Sequence, residues 1–137
     1  MSFNRLLVFS LALATLALAG CKKARPPAPA SHSAEALLLR LNDQAQLLNE
    51  ALARKDYQYI HDYGSYFTSL AQALFSRLNN QQKQRLSGAL EDLIDLSGQL
   101  DRAAGGGHPA ATDATVQHLQ AVLKDIEKQF REIKSTG

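Results

Sequence analysis

Three sets of residues in this chain have types and spacings that suggest chemistry. The first is the chain's four tyrosines, Tyr57, Tyr59, Tyr63 and Tyr66, which all fall in one short stretch. On a helix centred on Ile60, Tyr63 lies about 60° to one side, at 100° per residue. Tyr59 and Tyr66 lie beyond it, at the edge of the apolar face. Amphipathic rings placed there suit a partner surface or a ligand cleft, so Tyr59, Tyr63 and Tyr66 are candidate partner-binding residues. The plainer alternative is that the rings widen the core face and point their hydroxyls to water.

The second set is histidine. His61 lies at the opposite border of the same apolar face, and His118 at a border of a later helical segment. They are the best available metal ligands, since imidazole is the commonest one. A metal site needs several converging ligands, yet no HExxH or ExxH pattern occurs and no second His follows His61 by four residues. Ordinary surface histidines are the simpler reading, for His32 and for His108 in a glycine loop as well. The third set is the acidic run Glu91, Asp92, Asp95 and Asp101. Glu91, Asp92 and Asp95 point away from the neighbouring leucine stripe, which marks a solvated face, and EF-hand spacing is absent. Gly105-Gly106-Gly107 lacks the strand and GK[ST] of a phosphate loop. No pattern fixes Ser, His and Asp into a nucleophilic constellation, and neither a CxxCH nor a methionine in the body supports haem. We expect no enzymatic activity and no cofactor.

The elements that would carry these residues read as helices throughout. Ser33 can cap a first helix with Glu35 in its first turn, and Leu37, Leu41, Ala45, Leu48 and Leu52 form one stripe. Glu50 and Arg54 add an i,i+4 pair. Asp56 can cap a second helix with the stripe Ile60, Gly64, Phe67, Ala71, Leu74 and Leu78. Asn79-Asn80 stops it and caps a third, striped by Leu86, Ala89, Leu93, Leu96 and Leu100. The glycine run and Pro109 end that helix. Thr112 can cap a fourth, carrying Val116, Leu119, Leu123, Ile126, Phe130 and Ile133. The expectation is an all-α protein, an up-down-up-down four-helix bundle over about 34–54, 57–78, 81–104 and 113–135. One boundary has an alternative, because Arg54-Lys55-Asp56 contains neither Gly nor Pro. A first helix running on through Tyr59, Tyr63, Tyr66 and Leu70 would put Asp56 in the seam, where burying a carboxylate is costly.

Ahead of this body, Arg5 precedes an apolar run from Leu6 to Leu18. Thirteen residues make only ~20 Å of helix, short of a ~30 Å hydrocarbon core, so the run reads as a cleaved signal peptide. It closes with Leu18-Ala19-Gly20-Cys21, which contains the chain's one cysteine and resembles the lipobox of bacterial lipoproteins. That resemblance implies a diacylglyceryl group on the Cys21 thiol and cleavage before it by signal peptidase II. It also implies acylation of the new N-terminus in most Gram-negative species, with palmitate-type chains. An ordinary signal peptide preceding a cysteine is the alternative. Lys22, where an inner-membrane retention signal would have Asp, implies the periplasmic face of the outer membrane. With Cys21 committed to lipid, no internal disulfide can form.

Cleavage there leaves 117 of the 137 residues, enough for one small domain. Lys22 to His32 reads KKARPPAPASH, a Pro/Ala-rich linker that favours extended chain and reaches ~34 Å at ~3.1 Å per residue. The body from Ser33 onward carries 11 basic against 13 acidic residues, so it lacks the basic footprint of a nucleic-acid binder. The sequence pI of 8.8 therefore owes much to Arg5 and to Lys22, Lys23 and Arg25 beside the anchor.

The stretch Ala53 to Tyr63, with Leu70 and Leu74 following, looks like a short motif in small periplasmic four-helix proteins, some associated with heavy-metal efflux. It implies the helical fold. The relatives tend to carry a second histidine in the third helix, where this chain has Leu93-Ile94-Asp95-Leu96. The leading expectation is a non-enzymatic, membrane-anchored adaptor that binds another envelope protein. The alternatives are a periplasmic metal- or small-ligand-binding bundle using His61 and His118, and a pilotin-like chaperone of a secretion component.

Overall fold

The computed structural model describes residues 32–136 and is all-α over them. The helices are α1 (Ala34–Ala53), α2 (Tyr57–Gly64), α3 (Tyr66–Arg77), α4 (Asn80–Gly105) and α5 (Pro109–Ser135). The expected signal peptide, Cys21 and the expected linker up to Ser31 lie outside the described residues.

Each helix boundary has a local cause. Ser33 Oγ accepts from Ala36 N–H at 3.2 Å, supplying one of the bonds that a helix start lacks. At the other end of α1, Lys55 N–H donates to Leu52 O at 3.0 Å and Asp56 N–H to Ala51 O at 2.8 Å. This is the Schellman pattern, with Lys55 in the left-handed region (φ 57°) where glycine is usual. Asp56 then caps α2, its Oδ1 accepting from Tyr59 N–H at 3.0 Å. The chain therefore breaks at Asp56 and does not run on as one helix. The α4–α5 turn repeats the design: His108 N–H reaches Ala103 O and Gly107 N–H reaches Ala104 O, with Gly107 at φ 70°.

Two expected boundaries are corrected. The second helix is interrupted at Ser65, giving five helices among the described residues where four were expected. Thr68 N–H, which would bond Gly64 O in a continuous helix, goes to Ser65 O at 3.2 Å, and a Gly-Ser pair is a common place for such an interruption. Ser97 Oγ on α4 takes up the freed Gly64 carbonyl at 2.7 Å, and Thr68 Oγ1 donates to Ser97 Oγ at 3.1 Å. Thr112 does not cap the last helix, which begins three residues earlier with Pro109 at its first position. Proline fits there because its missing N–H would have no partner and its φ is already helical. Thr112 is buried inside the first turn, its Oγ1 donating to His108 O at 2.9 Å.

Between α3 and α4, Leu78 runs extended into a capping box: Asn79 and Gln82 exchange side-chain and backbone bonds at 2.8 and 2.9 Å. The four apolar stripes converge on one core. Leu37, Leu41, Leu48, Ile60, Phe67, Leu70, Leu74, Leu86, Leu93, Leu100, Leu119 and Ile126 are fully buried within it. Helix α1 packs on α2, α3 and α5, and α4 packs on α2, α3 and α5. Lys134 Nζ reaches Glu35 Oε1 at 2.9 Å, tying the end of α5 to the start of α1. Glu50, expected to pair with Arg54, accepts from Gln46 Nε2 at 3.2 Å.

Candidate interaction site

The tyrosine cluster divides into two parts. Tyr59 and Tyr63, one turn apart on α2, stack with ring centroids 4.4 Å apart and planes 24° from parallel. Both are half-buried. Burial raises the Tyr59 phenol above its ordinary range, the Gln44 side chain opposes that shift, and Tyr63 adds to it. Tyr59 therefore stays neutral at physiological pH, its hydroxyl engaged by the Gln44 side chain. Tyr57 is half-buried on the other side of Ile60 and packs against the core.

Tyr66, expected at the edge of the face, belongs to the core instead, with only 8% of its surface exposed. The interruption accounts for the change. An i→i+3 turn advances about 120° per residue where an α-helix advances about 100°, so the tighter step brings Tyr66 round toward the core. Its hydroxyl is buried with no hydrogen-bond partner among the described residues. A partner cannot reach Tyr66 without disturbing the fold, and the accessible pair is Tyr59 and Tyr63.

His61 lies across the last turns of α4. Its Nδ1 is 3.1 Å from Asp101 Oδ1 and 3.3 Å from Asp101 O. Gly105 makes room for the ring: a Cβ there would come within 2.8 Å of Nδ1 and 2.9 Å of Cε1. With Nδ1 protonated, the ring donates to Asp101 and joins α2 to α4. Asp101 is thus the member of the acidic run that makes a tertiary contact, while Glu91, Asp92 and Asp95 are exposed. His118 is exposed on α5, and His108 is exposed in the α4–α5 turn. Among the described residues, no three His, Cys, Asp or Glu side chains are gathered to hold a metal ion.

Sequence reasoning missed the partners of two residues. His61 and Asp101 are forty positions apart, so no local spacing announces their contact. Ser97 is fully buried and sits between two leucines of the α4 stripe; a polar residue at a core position was the available signal. No helix among the described residues is long and apolar enough to cross a membrane. No family model matches the chain, and neither the curated proteins nor the solved structures yield a match.

Proposed function

We propose that the protein is a lipid-anchored lipoprotein on the periplasmic face of the outer membrane, acting as a non-enzymatic adaptor through a face of α2. Its domain is an up-down-up-down four-helix bundle in which α2 and α3 together form the interrupted second member. Short turns between successive helices favour antiparallel neighbours, and the ring of contacts α1–α2/α3–α4–α5–α1 supports that reading. Lipid on Cys21 fixes the molecule, each buried methylene contributing about 0.8 kcal/mol. The Pro/Ala linker sets how far the domain stands from the bilayer.

The observation that carries the adaptor reading is the stacked, half-exposed Tyr59–Tyr63 pair. A stacked aromatic pair offers contact area at low entropic cost, and such residues are enriched where binding energy concentrates. The partner is an envelope protein; the neutral-to-acidic body does not suit nucleic acid.

The test places a photo-crosslinking side chain at the exposed position of Asp62, beside the pair on α2, in the full-length protein and irradiates intact cells. One stoichiometric envelope adduct is expected, with a Tyr63→Ala, Tyr59→Phe variant losing most of the capture while keeping its helical circular dichroism. Equal capture by variant and wild type overturns the assignment of this face.

A further inference from the structure

The groove between α3 and α4 is apolar, open and acidic along one wall. Ala71, Phe75, Leu90 and Ile94 line a cavity of about 210 Å³. Phe75 is 40% exposed there, and Lys83 closes one end, its Nζ lying 5.2 Å from the Phe75 ring centroid. On the α4 wall, Glu91 lines the cavity, and Asp95, one turn on and about 40° further round, lies outside the lining on the solvent side. Both are exposed, and neither forms an ion pair among the described residues. The α3 wall presents the neutral Gln72. Residues 87 to 94 of α4 cover roughly 10 Å of axis at 1.5 Å per residue, about two helical turns.

The outer face of α4 also has two glycines inside a helix, where glycine is destabilising relative to alanine. A Cβ on Gly88 would meet nothing, and one on Gly98 would meet only the Arg102 guanidinium at 3.5 Å. Packing within the fold requires neither glycine. Gly98, one turn beyond Ile94, leaves the α4 backbone uncovered on the groove side, and small residues at a contact let two helix axes approach closely.

We propose that this groove binds a cationic amphipathic helix of a partner protein. The helix seats its apolar side chains on Phe75, Leu90 and Ile94, and its Lys or Arg residues face Glu91 and Asp95. A second copy of this chain complements the wall less well. On α5, the helix richest in cations, three of the four already sit beside a carboxylate, Lys128 by Glu132, Arg131 by Glu127 and Lys134 by Glu35. The surface is separate from the Tyr59–Tyr63 pair, and the proposal does not depend on the lipid anchor.

The probe is a dye-labelled helical peptide of about 18 residues, long enough to hold a helix, with leucines at three- and four-residue steps flanked by lysines. Its counterpart has glutamates in place of the lysines. Fluorescence anisotropy with the full mature protein in detergent is expected to show the lysine peptide binding at least tenfold more tightly. Glu91→Lys with Asp95→Lys, both at exposed positions, reverses that preference. Gly98→Gln raises Tm but weakens the lysine peptide, a divergence that a purely structural role for Gly98 would not produce. Absence of binding, equal affinity for the two peptides, or indifference to the charge reversal overturns the proposal. So does sedimentation showing a dimer that Ile94→Asp dissolves. Binding that appears only after Lys22, Lys23 and Arg25 are changed to Gln assigns the groove to the chain's own leader, and likewise overturns it.

Discussion

Replacing Ser97 with alanine should destabilise the domain by about 2 kcal/mol, although it removes a single oxygen. Ser97 is fully buried. Its Oγ donates to Gly64 O at 2.7 Å and accepts from Thr68 Oγ1 at 3.1 Å. The Gly64 carbonyl depends on it, because the Thr68 N–H bonds Ser65 O instead. Alanine leaves that carbonyl buried without a donor, which costs about 1–3 kcal/mol. Thr68 is half-exposed and can turn its hydroxyl to water, so its own loss is smaller, about 0.5–1 kcal/mol. For a domain of this size, ~2 kcal/mol lowers Tm by roughly 8 °C. Urea and thermal unfolding followed by circular dichroism measure it, and Thr68→Val completes a double-mutant cycle. Thr68→Val should cost about 1 kcal/mol with Ser97 present and close to nothing in the Ser97→Ala background. A Ser97→Ala cost below ~0.5 kcal/mol, or full additivity, refutes the claim that α4 holds the α2–α3 interruption in place.

Three other perturbations test neighbouring parts of the account. Lys55 occupies the left-handed region without being glycine, so Lys55→Gly should raise stability by about 0.5–1 kcal/mol in urea unfolding. Gly105→Ala forces the His61 ring from its contact with Asp101. It should destabilise the wild type but stabilise a His61→Ala variant by a few tenths of a kcal/mol to about 1 kcal/mol. The hydrogen bond from Lys134 holds the Glu35 carboxyl below its ordinary range. A depressed acid contributes stability above its unfolded pKa and loses it as pH falls through the folded one. Stability should therefore decline on acidification below the ordinary glutamate range less steeply in Glu35→Gln than in wild type. The difference should be small and should shrink in high salt, because the pair is exposed.

Much of the fold was legible because apolar periodicity survives small local errors. The stripe Ile60, Gly64, Phe67, Ala71, Leu74 and Leu78 is buried along its whole length, although the helix carrying it is interrupted at Ser65. One tightened turn changes the phase too little to disturb residues at the centre of the stripe. It does change the fate of a residue near its edge, and Tyr66 went from surface to core on that account. The Gly64-Ser65 pair was the visible signal for the interruption, and Pro109 was the better signal for the start of α5. The Lys55 turn was harder to read because its left-handed residue is not glycine. At the candidate site, the tyrosine pair follows from one-turn spacing on α2, whereas the His61–Asp101 contact and the acidic apolar groove depend on which helices pack together. Glu91 and Phe75 are both off their stripes, and only the packing of α3 on α4 brings them to one surface.

The central claim, that the chain is a lipoprotein held by Cys21, is tested most directly by intact-mass analysis of the protein from the outer-membrane fraction. The account predicts a chain beginning at Cys21 and heavier than the bare polypeptide by a diacylglyceryl group and one further acyl chain. It also predicts that a Cys21→Ser variant lacks both the cleavage and the added mass. An unmodified Cys21 thiol, or a mature N-terminus elsewhere, would contradict it.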